Sequence, residues 1–253
     1  MRVAALYDIH GNLPALEAVL AAVERERVDA IVVGGDFAAG PMPVETFDRL
    51  RALGDRALFL SGNAERELAD GMAPGEELGH ARFEWLRGEL GAERLEFMRS
   101  LPANVRVVVD GVGPTLFCHG SPRSDLEVLT PDTPDDRLRE ALATADANVV
   151  VCGHTHSQWI RALDGITVAN AGSVGLPYED QPGAYWALVA DGVHHQRTEY
   201  DIEAAAHAYE ATDFPEAAEY ARETLLEPES RQAAVDFFEQ LARERPEFAG
   251  RGA

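Results

Sequence analysis

Val3-Ala4-Ala5-Leu6-Tyr7-Asp8-Ile9-His10-Gly11-Asn12 is the stretch whose reading decides the fold. An apolar run stops abruptly at Asp8, and Leu13, Leu16, Val19, Leu20 and Val23 then recur at helical spacing. Together they read as a buried strand, a polar loop and an amphipathic helix. The unit repeats at once. Residues 30–33 form a second apolar run ending in Gly34-Gly35-Asp36, a helix follows over 44–53, and residues 57–60 run into Ser61-Gly62-Asn63. The order β-α-β-α-β predicts a mostly parallel sheet with helices on its faces.

Outward from this core the pattern changes. Residues 64–101 read as a helical insert with breaks near Pro74-Gly75 and 88–91, and Phe83, Trp85, Leu86 and Leu90 supply its apolar face. Strands are expected at 105–109 and 115–118, then a helix over 137–145 and a strand at 149–152. Shorter strands follow at 158–162, 167–170, 185–189 and 194–200, with His194-His195 placed in a solvated hairpin turn. The crowding of strand–turn–strand signals predicts a second, more antiparallel sheet. From Asp201 the chain is helical and acidic, and it ends in a Gly/Arg tail expected to fray. We read one domain over 1–200 and an acidic helical appendage over 201–253 packed on it. The appendage is either a homodimer surface or a covering layer.

Composition excludes several classes. With 253 residues, 46% hydrophobic and 26% charged, the chain can bury a sizeable core and is not a disordered chain. Two cysteines rule out a disulfide scaffold, and Cys118 and Cys152 read as small buried hydrophobes. No window approaches the ~20 apolar residues that span a bilayer, and no signal peptide is read, so a cytoplasmic location is expected. All 22 basic residues are arginine, against 44 acidic ones, giving a net charge of -22. That charge argues against a nucleic-acid groove and against docking on anionic lipid, because both partners need a basic face. A local cation cluster still allows a small phosphate-bearing substrate.

The chemistry sits just after strands, where open α/β sheets bind ligands. Asp8, His10, Asp36, Asn63, His119, His154 and His156 all fall there. Imidazole and carboxylate together suit Mn, Fe, Zn, Co or Ni. The set exceeds what one tetrahedral ion needs. It suits two divalent ions sharing a carboxylate about 3.5–4 Å apart, an arrangement that supplies hydroxide at neutral pH and clamps an in-line phosphoryl displacement. No Ser or Cys nucleophile motif accompanies it.

The ordered set D-x-H, G-D, G-N-x-E, H and G-H-x-H, running from Asp8 to His156, resembles the calcineurin-like metallophosphoesterase family. Asn170-Ala-Gly-Ser-Val-Gly-Leu-Pro177 is similar to a segment of its small bacterial and archaeal phosphodiesterase branch. The resemblance implies a four-layer α/β/β/α sandwich of two mixed sheets, here with a C-terminal helical extension. It implies that Asp8, His10 and His156 hold a first ion, that Asp36 bridges, and that Asn63, His119 and His154 hold a second. Asn12 would lie near the substrate phosphate. Asp36, Asn63, His119 and Asn12 are thus the implied catalytic group.

Two departures shift the expected substrate. Many members carry His after the motif Asn, where it protonates the leaving oxygen; this chain has Ala64. Losing a general acid costs about 10²–10⁴ in rate for a poor leaving group, and less for a phenolate or a phosphoanhydride. Gly35-Asp36-Phe37 also lacks the D-R-G continuation of protein Ser/Thr phosphatases. Small phosphodiesters or nucleotide anhydrides are therefore expected, with a broad phosphomonoesterase or a catalytically silent metal-binding scaffold as alternatives. Glu65 either orients a ligand or is a helix N-terminal carboxylate. Arg66 and Arg123 either contact the substrate phosphate or are ordinary surface arginines.

Overall fold

Alternation within each apolar run divides its side chains between two cores. Along β1 (Val3–Leu6) and the residue after it, Val3, Ala5 and Tyr7 enter one core while Ala4 and Leu6 enter another. In β2 (Ala30–Val33), Val32 joins the first core and Ile31 and Val33 the second. A strand buried on both faces reads as a continuous apolar run, and this is how both were legible.

The computed structural model describes residues 1–71 and 79–250. It contains two mixed five-stranded sheets. The first is ordered β10 (Gly192–Thr198), β9 (Ala184–Ala190), β1, β2 and β3 (Ala57–Phe59). The second is ordered β4 (Asn104–Val109), β5 (Gly113–Cys118), β6 (Val149–Cys152), β8 (Ile166–Asn170) and β7 (Trp159–Leu163). The sheets face each other across Val3, Ala5 and Val32 on one side and Phe117, Val149 and Val151 on the other. The Tyr7 hydroxyl crosses the gap and donates to the Val151 carbonyl at 3.0 Å.

Helices cover both outer faces. α1 (Leu13–Glu26), α2 (Pro43–Arg51), α3 (Asn63–Asp70) and α4 (Gly79–Arg99) bury Leu16, Phe47, Leu68 and Leu90 in the core on the first sheet. α5 (Asp135–Leu142) packs Leu138 and Ala141 against Cys118, Val150 and Cys152 of the second. The layers are therefore α/β/β/α. Of the C-terminal helices, α6 (Ile202–Glu210) and α7 (Ala217–Ala221) extend the first helical layer through Ala205, Tyr209 and Tyr220. α8 (Arg231–Glu244) packs Phe238 and Ala242 against Val128 and Phe248. Arg137 of α5 pairs with Glu239 of α8 at 2.7 Å, and the Thr130 and Thr133 hydroxyls donate to the same carboxylate. Among the described residues no helix is long and apolar enough to cross a membrane.

Two expectations need correcting. The second sheet is not the more antiparallel one: each sheet joins its strands by two parallel and two antiparallel pairings. β9 and β10 pair back onto β1 in the first sheet, a long-range choice that local alternation does not encode. His194-His195 lies inside β10, not in a turn, and His195 Nε2 sits 2.9 Å from the Asn170 carbonyl. In the helical stretch, Gly91 at φ 67° kinks α4 near an expected break. The break near Pro74-Gly75 and the fraying of residues 251–253 lie outside the described residues.

Phe117 is fully buried between the sheets. Phe117→Ala is expected to cost about 3–5 kcal/mol, through lost transfer energy and a cavity the two sheets cannot close. A urea titration should show a lowered midpoint at unchanged slope; an unmoved midpoint would contradict this account of the core.

Candidate metal centre

β1, β2 and β3 run parallel, as do β5, β6 and β8, so their carboxyl ends gather at common edges. Asp8 follows β1, Asp36 follows β2, and Asn63 opens α3. His119 follows β5, and His154 and His156 follow β6. Each chain segment must turn sharply off its strand there. Asp8, His10, Asp36, His154 and His156 all take positive φ, between 48° and 67°. Non-glycine residues in this region store about 1–3 kcal/mol each, and Asp and His tolerate it better than most. Crossed backbone bonds hold the turns: Asp8 N–H donates to Gly35 O at 3.1 Å and His10 N–H to Asp36 O at 2.9 Å.

Each carboxylate is anchored by one oxygen and offers the other. Asp8 Oδ2 accepts from the His154 N–H at 2.9 Å, while Oδ1 lies 3.4 Å from His156 Nε2 and 3.8 Å from His119 Nε2. Asp36 Oδ1 accepts from the Ala64 N–H at 2.9 Å, while Oδ2 lies 3.5 Å from His119 Nε2. The imidazoles are oriented from behind. His10, His119 and His156 each place Nδ1 against a backbone carbonyl, those of Ala39, Gly34 and Leu176, at 3.3, 2.9 and 2.7 Å. A carbonyl only accepts, so Nδ1 carries the proton and Nε2 turns its lone pair inward, the arrangement typical of metal-ligating histidine. Asn63 Oδ1 stands 3.1 Å from His119 Nε2.

Two ligand groups result: Asp8, His10 and His156, and Asp8, Asp36 and His119. Asp8 is common to both groups, and Asp36, the expected bridge, falls in the second. Asp8 Oδ1 and His154 Nε2 are buried without a hydrogen-bond partner. Buried polar atoms are rarely left so, and a site for an ion is one of the explanations for the exceptions. A hard and borderline donor set with orphaned lone pairs fits divalent transition metals.

The charged groups of the centre act on one another. Burial alone would raise the Asp8 carboxyl, but His156 and His119 turn its pKa downward. Burial disfavours the His119 imidazolium, yet Asp36 and Asp8 outweigh it and hold the ring up at about 10. An incoming cation competes with that proton. Burial, then His119, pulls His154 down to about 4.

Glu65 is the helix N-terminal carboxylate of one expectation, accepting from the backbone at the start of α3, and it also reaches a second loop. It is fully buried and accepts from the backbone N–H groups of Asp36 at 2.6 Å, Phe37 at 3.0 Å and Gly62 at 3.0 Å. It thus clamps the β2 and β3 loops that carry Asp36 and Asn63. Burial, reinforced by Asp36, pushes its pKa up to about 7. The segment 170–177 is likewise a support: Ser173 Oγ donates to Asp8 O at 2.7 Å and Asn170 Nδ2 to Gly153 O at 2.6 Å.

Close packing leaves no room for side chains at two glycines. A Cβ on Gly62 would lie 2.1 Å from Asp36 Oδ1, and one on Gly153 would lie 2.5 Å from Asp8 Oδ2. Gly62→Ala is expected to displace the Asp36 carboxylate and weaken metal affinity about 10–100-fold, as the loss of a ligand's supporting contacts commonly does. Calorimetric titration of chelator-stripped protein would read this; wild-type affinity would refute it.

Asn12 is fully buried: its Oδ1 accepts from Ala15 N–H as the cap of α1, and its Nδ2 donates to Gly175 O and Tyr200 Oη. Arg66 pairs with Asp125 at 2.6 Å and Arg123 with buried Glu127 at 2.7 Å. Both arginines line a cavity of about 690 Å³ that touches His119. A second cavity of about 680 Å³ opens on His10, Asp36, Asn63, His154 and His156. Its outer wall holds residues that motif reading missed: Arg82, Tyr178, Tyr220, Arg222, Phe237 and Phe238. Tyr178 directly follows the quoted segment, a weak signal; the others carry none, since their helices meet the centre only in three dimensions.

Comparison with known proteins agrees with this geometry. A relative from Methanocaldococcus jannaschii, an uncharacterized protein, is 25% identical over 237 residues, covering 85% of this chain and 94% of its own. The crystal structure of a metallophosphoesterase from Sphaerobacter thermophilus is 26% identical with a TM-score of 0.70, covering 86% of this chain and 96% of that one. A hypothetical protein from Pyrococcus horikoshii OT3 shares the fold, with a TM-score of 0.76 at 20% identity over 87% of this chain and 97% of that one. The family model of the calcineurin-like phosphoesterase superfamily domain matches residues 1–192. With its ligand-bearing loops inside that match, the chain belongs to the calcineurin-like phosphoesterase superfamily.

Proposed function

We propose that this chain hydrolyses small phosphodiesters with two divalent metal ions. The carrying observation is the buried convergence of Asp8, His10, His156, Asp36 and His119 around an Asp8 oxygen that has no hydrogen-bond partner. When bound, a pair of metal ions supplies Lewis acidity toward the phosphoryl oxygens and a nucleophile at neutral pH. The chain's own residues supply rigidity. Three histidines are locked through Nδ1, and two carboxylates are locked through backbone N–H groups.

The preference for diesters rests on two features. Ala64, 2% exposed beside Asp36, offers no proton to a leaving oxygen, which favours weakly basic leaving groups. Cavities of about 690 and 680 Å³ each border ligand residues, room for a substituent on either side of the phosphorus.

The test is hydrolysis of bis-p-nitrophenyl phosphate beside p-nitrophenyl phosphate, by stripped protein reloaded with Mn²⁺, Fe²⁺, Zn²⁺, Ni²⁺ or Co²⁺. Metal-dependent turnover with the diester preferred is the expected result. Preference for the monoester would overturn the diester assignment. Bound metal with no turnover of either would point to a silent scaffold.

A further inference from the structure

The cavity over the metal centre has two halves of different origin. Its floor is the ligand set, inside residues 1–192. Its outer wall includes Tyr220, Arg222, Phe237 and Phe238, from helices beyond the family match. That wall is aromatic. Tyr178 stacks on the ligand His156 at 5.2 Å and 14°, Phe238 lies 6.2 Å from Tyr178 and 6.3 Å from His154, and Phe237 stands 5.5 Å from Phe238. Phe237 is 55% exposed at this mouth. A large apolar side chain left open beside buried metal ligands calls for a covering group, and an aromatic face takes a flat ring best.

We infer that this wall is a nucleobase subsite, so that the phosphodiester cleaved here carries a nucleoside. The inference rests on the phosphodiesterase reading and narrows it. The lip chemistry separates a base from its rivals. Glu223, Glu227 and Glu229 line it, and Arg222 lies 3.2 Å from both Glu223 and Glu227, so its charge is already matched. A second phosphate would meet carboxylates there. The N–H edge of a base would instead find acceptors. An alkyl chain would use neither the ring faces nor the carboxylates.

The experiment compares the p-nitrophenyl ester of thymidine 5′-phosphate with methyl p-nitrophenyl phosphate on the Mn²⁺-loaded full chain. The two share phosphorus and leaving group and differ in the nucleoside. Stacking of one base supports about a tenfold preference in kcat/KM for the nucleoside ester. Phe237→Ala, at an exposed position, should bring the ratio near one through KM, and Phe237→Trp should retain it. Equal wild-type values, or a ratio untouched by Phe237→Ala, overturns the inference.

Calorimetric binding of thymidine 5′-phosphate against deoxyribose 5-phosphate is the second readout. Tighter nucleotide binding lost in Phe237→Ala supports the subsite even if neither ester turns over, an outcome that would sink the hydrolase reading alone. Equal binding of the two phosphates overturns the subsite whatever the activity.

Discussion

Asp8→Asn is expected to reduce metal-dependent hydrolysis about 10³-fold, since metals supply several kcal/mol of charge stabilisation and each 1.36 kcal/mol is tenfold in rate. The reason is topological as well as chemical. Asp8 belongs to both ligand groups, whereas His10 or His119 belongs to one. Its Oδ2 is already committed to the His154 N–H, and an amide placed there sets either its oxygen or its NH₂ toward that donor. In the first orientation the NH₂ faces the histidine lone pairs; in the second it opposes an N–H. Neither restores the negative charge that a cation needs.

Stability reports the same loss independently. A ligand at 100 times its Kd stabilises the folded state by about 2.7 kcal/mol. Wild-type protein should therefore melt at a higher temperature with metal than without, and Asp8→Asn should show little of that rise. A variant with full activity and an intact metal-induced shift would remove Asp8 from the centre.

Glu65→Ala is expected to carry the largest stability cost in the chain. Three backbone N–H groups lose their acceptor at once around Glu65, which is 0% exposed. Each buried unsatisfied donor costs about 1–3 kcal/mol. The sum is a large part of the roughly 5–15 kcal/mol that holds a domain folded. Because the freed groups belong to the loops bearing Asp36 and Asn63, metal affinity should fall with stability.

Glu65→Gln is the informative companion should the alanine variant fail to fold. Its amide keeps one acceptor and turns an NH₂ toward at least one donor, so it should be intermediate in denaturant midpoint and in metal affinity. Wild-type values for both properties in Glu65→Gln would show that the carboxylate does not clamp these loops.

Much of this protein was legible because its signals are local. Strands β1, β2 and β6 are buried on both faces, and a doubly buried strand is a plain apolar run. The ligand residues follow those runs within a few positions, because sheets expose their strand ends to ligands. The α/β/β/α class, the family and the ligand candidates at Asp8, His10, Asp36, Asn63, His119, His154 and His156 could thus be read in order along the chain.

Tertiary structure decided what depends on distant partners. Asn12 lies two residues from His10, and its side chain caps α1 and bonds Gly175 and Tyr200, partners that only the fold supplies. Glu65 looks like any helix-start carboxylate until Asp36 and Phe37 arrive from another loop. β9 and β10 could have extended either sheet, and β9 pairs with β1 of the first. Phe237 and Arg222 lie far along the chain from His156 and carry no motif; the packing of α8 through Phe238 and of Glu239 onto Arg137 brings Phe237 over the ligand residues. Local sequence encodes the period and the turn of each segment. Which segments meet is set by burial and pairing summed over the whole chain, and the outer wall of the cavity is the part of this protein that only that sum determines.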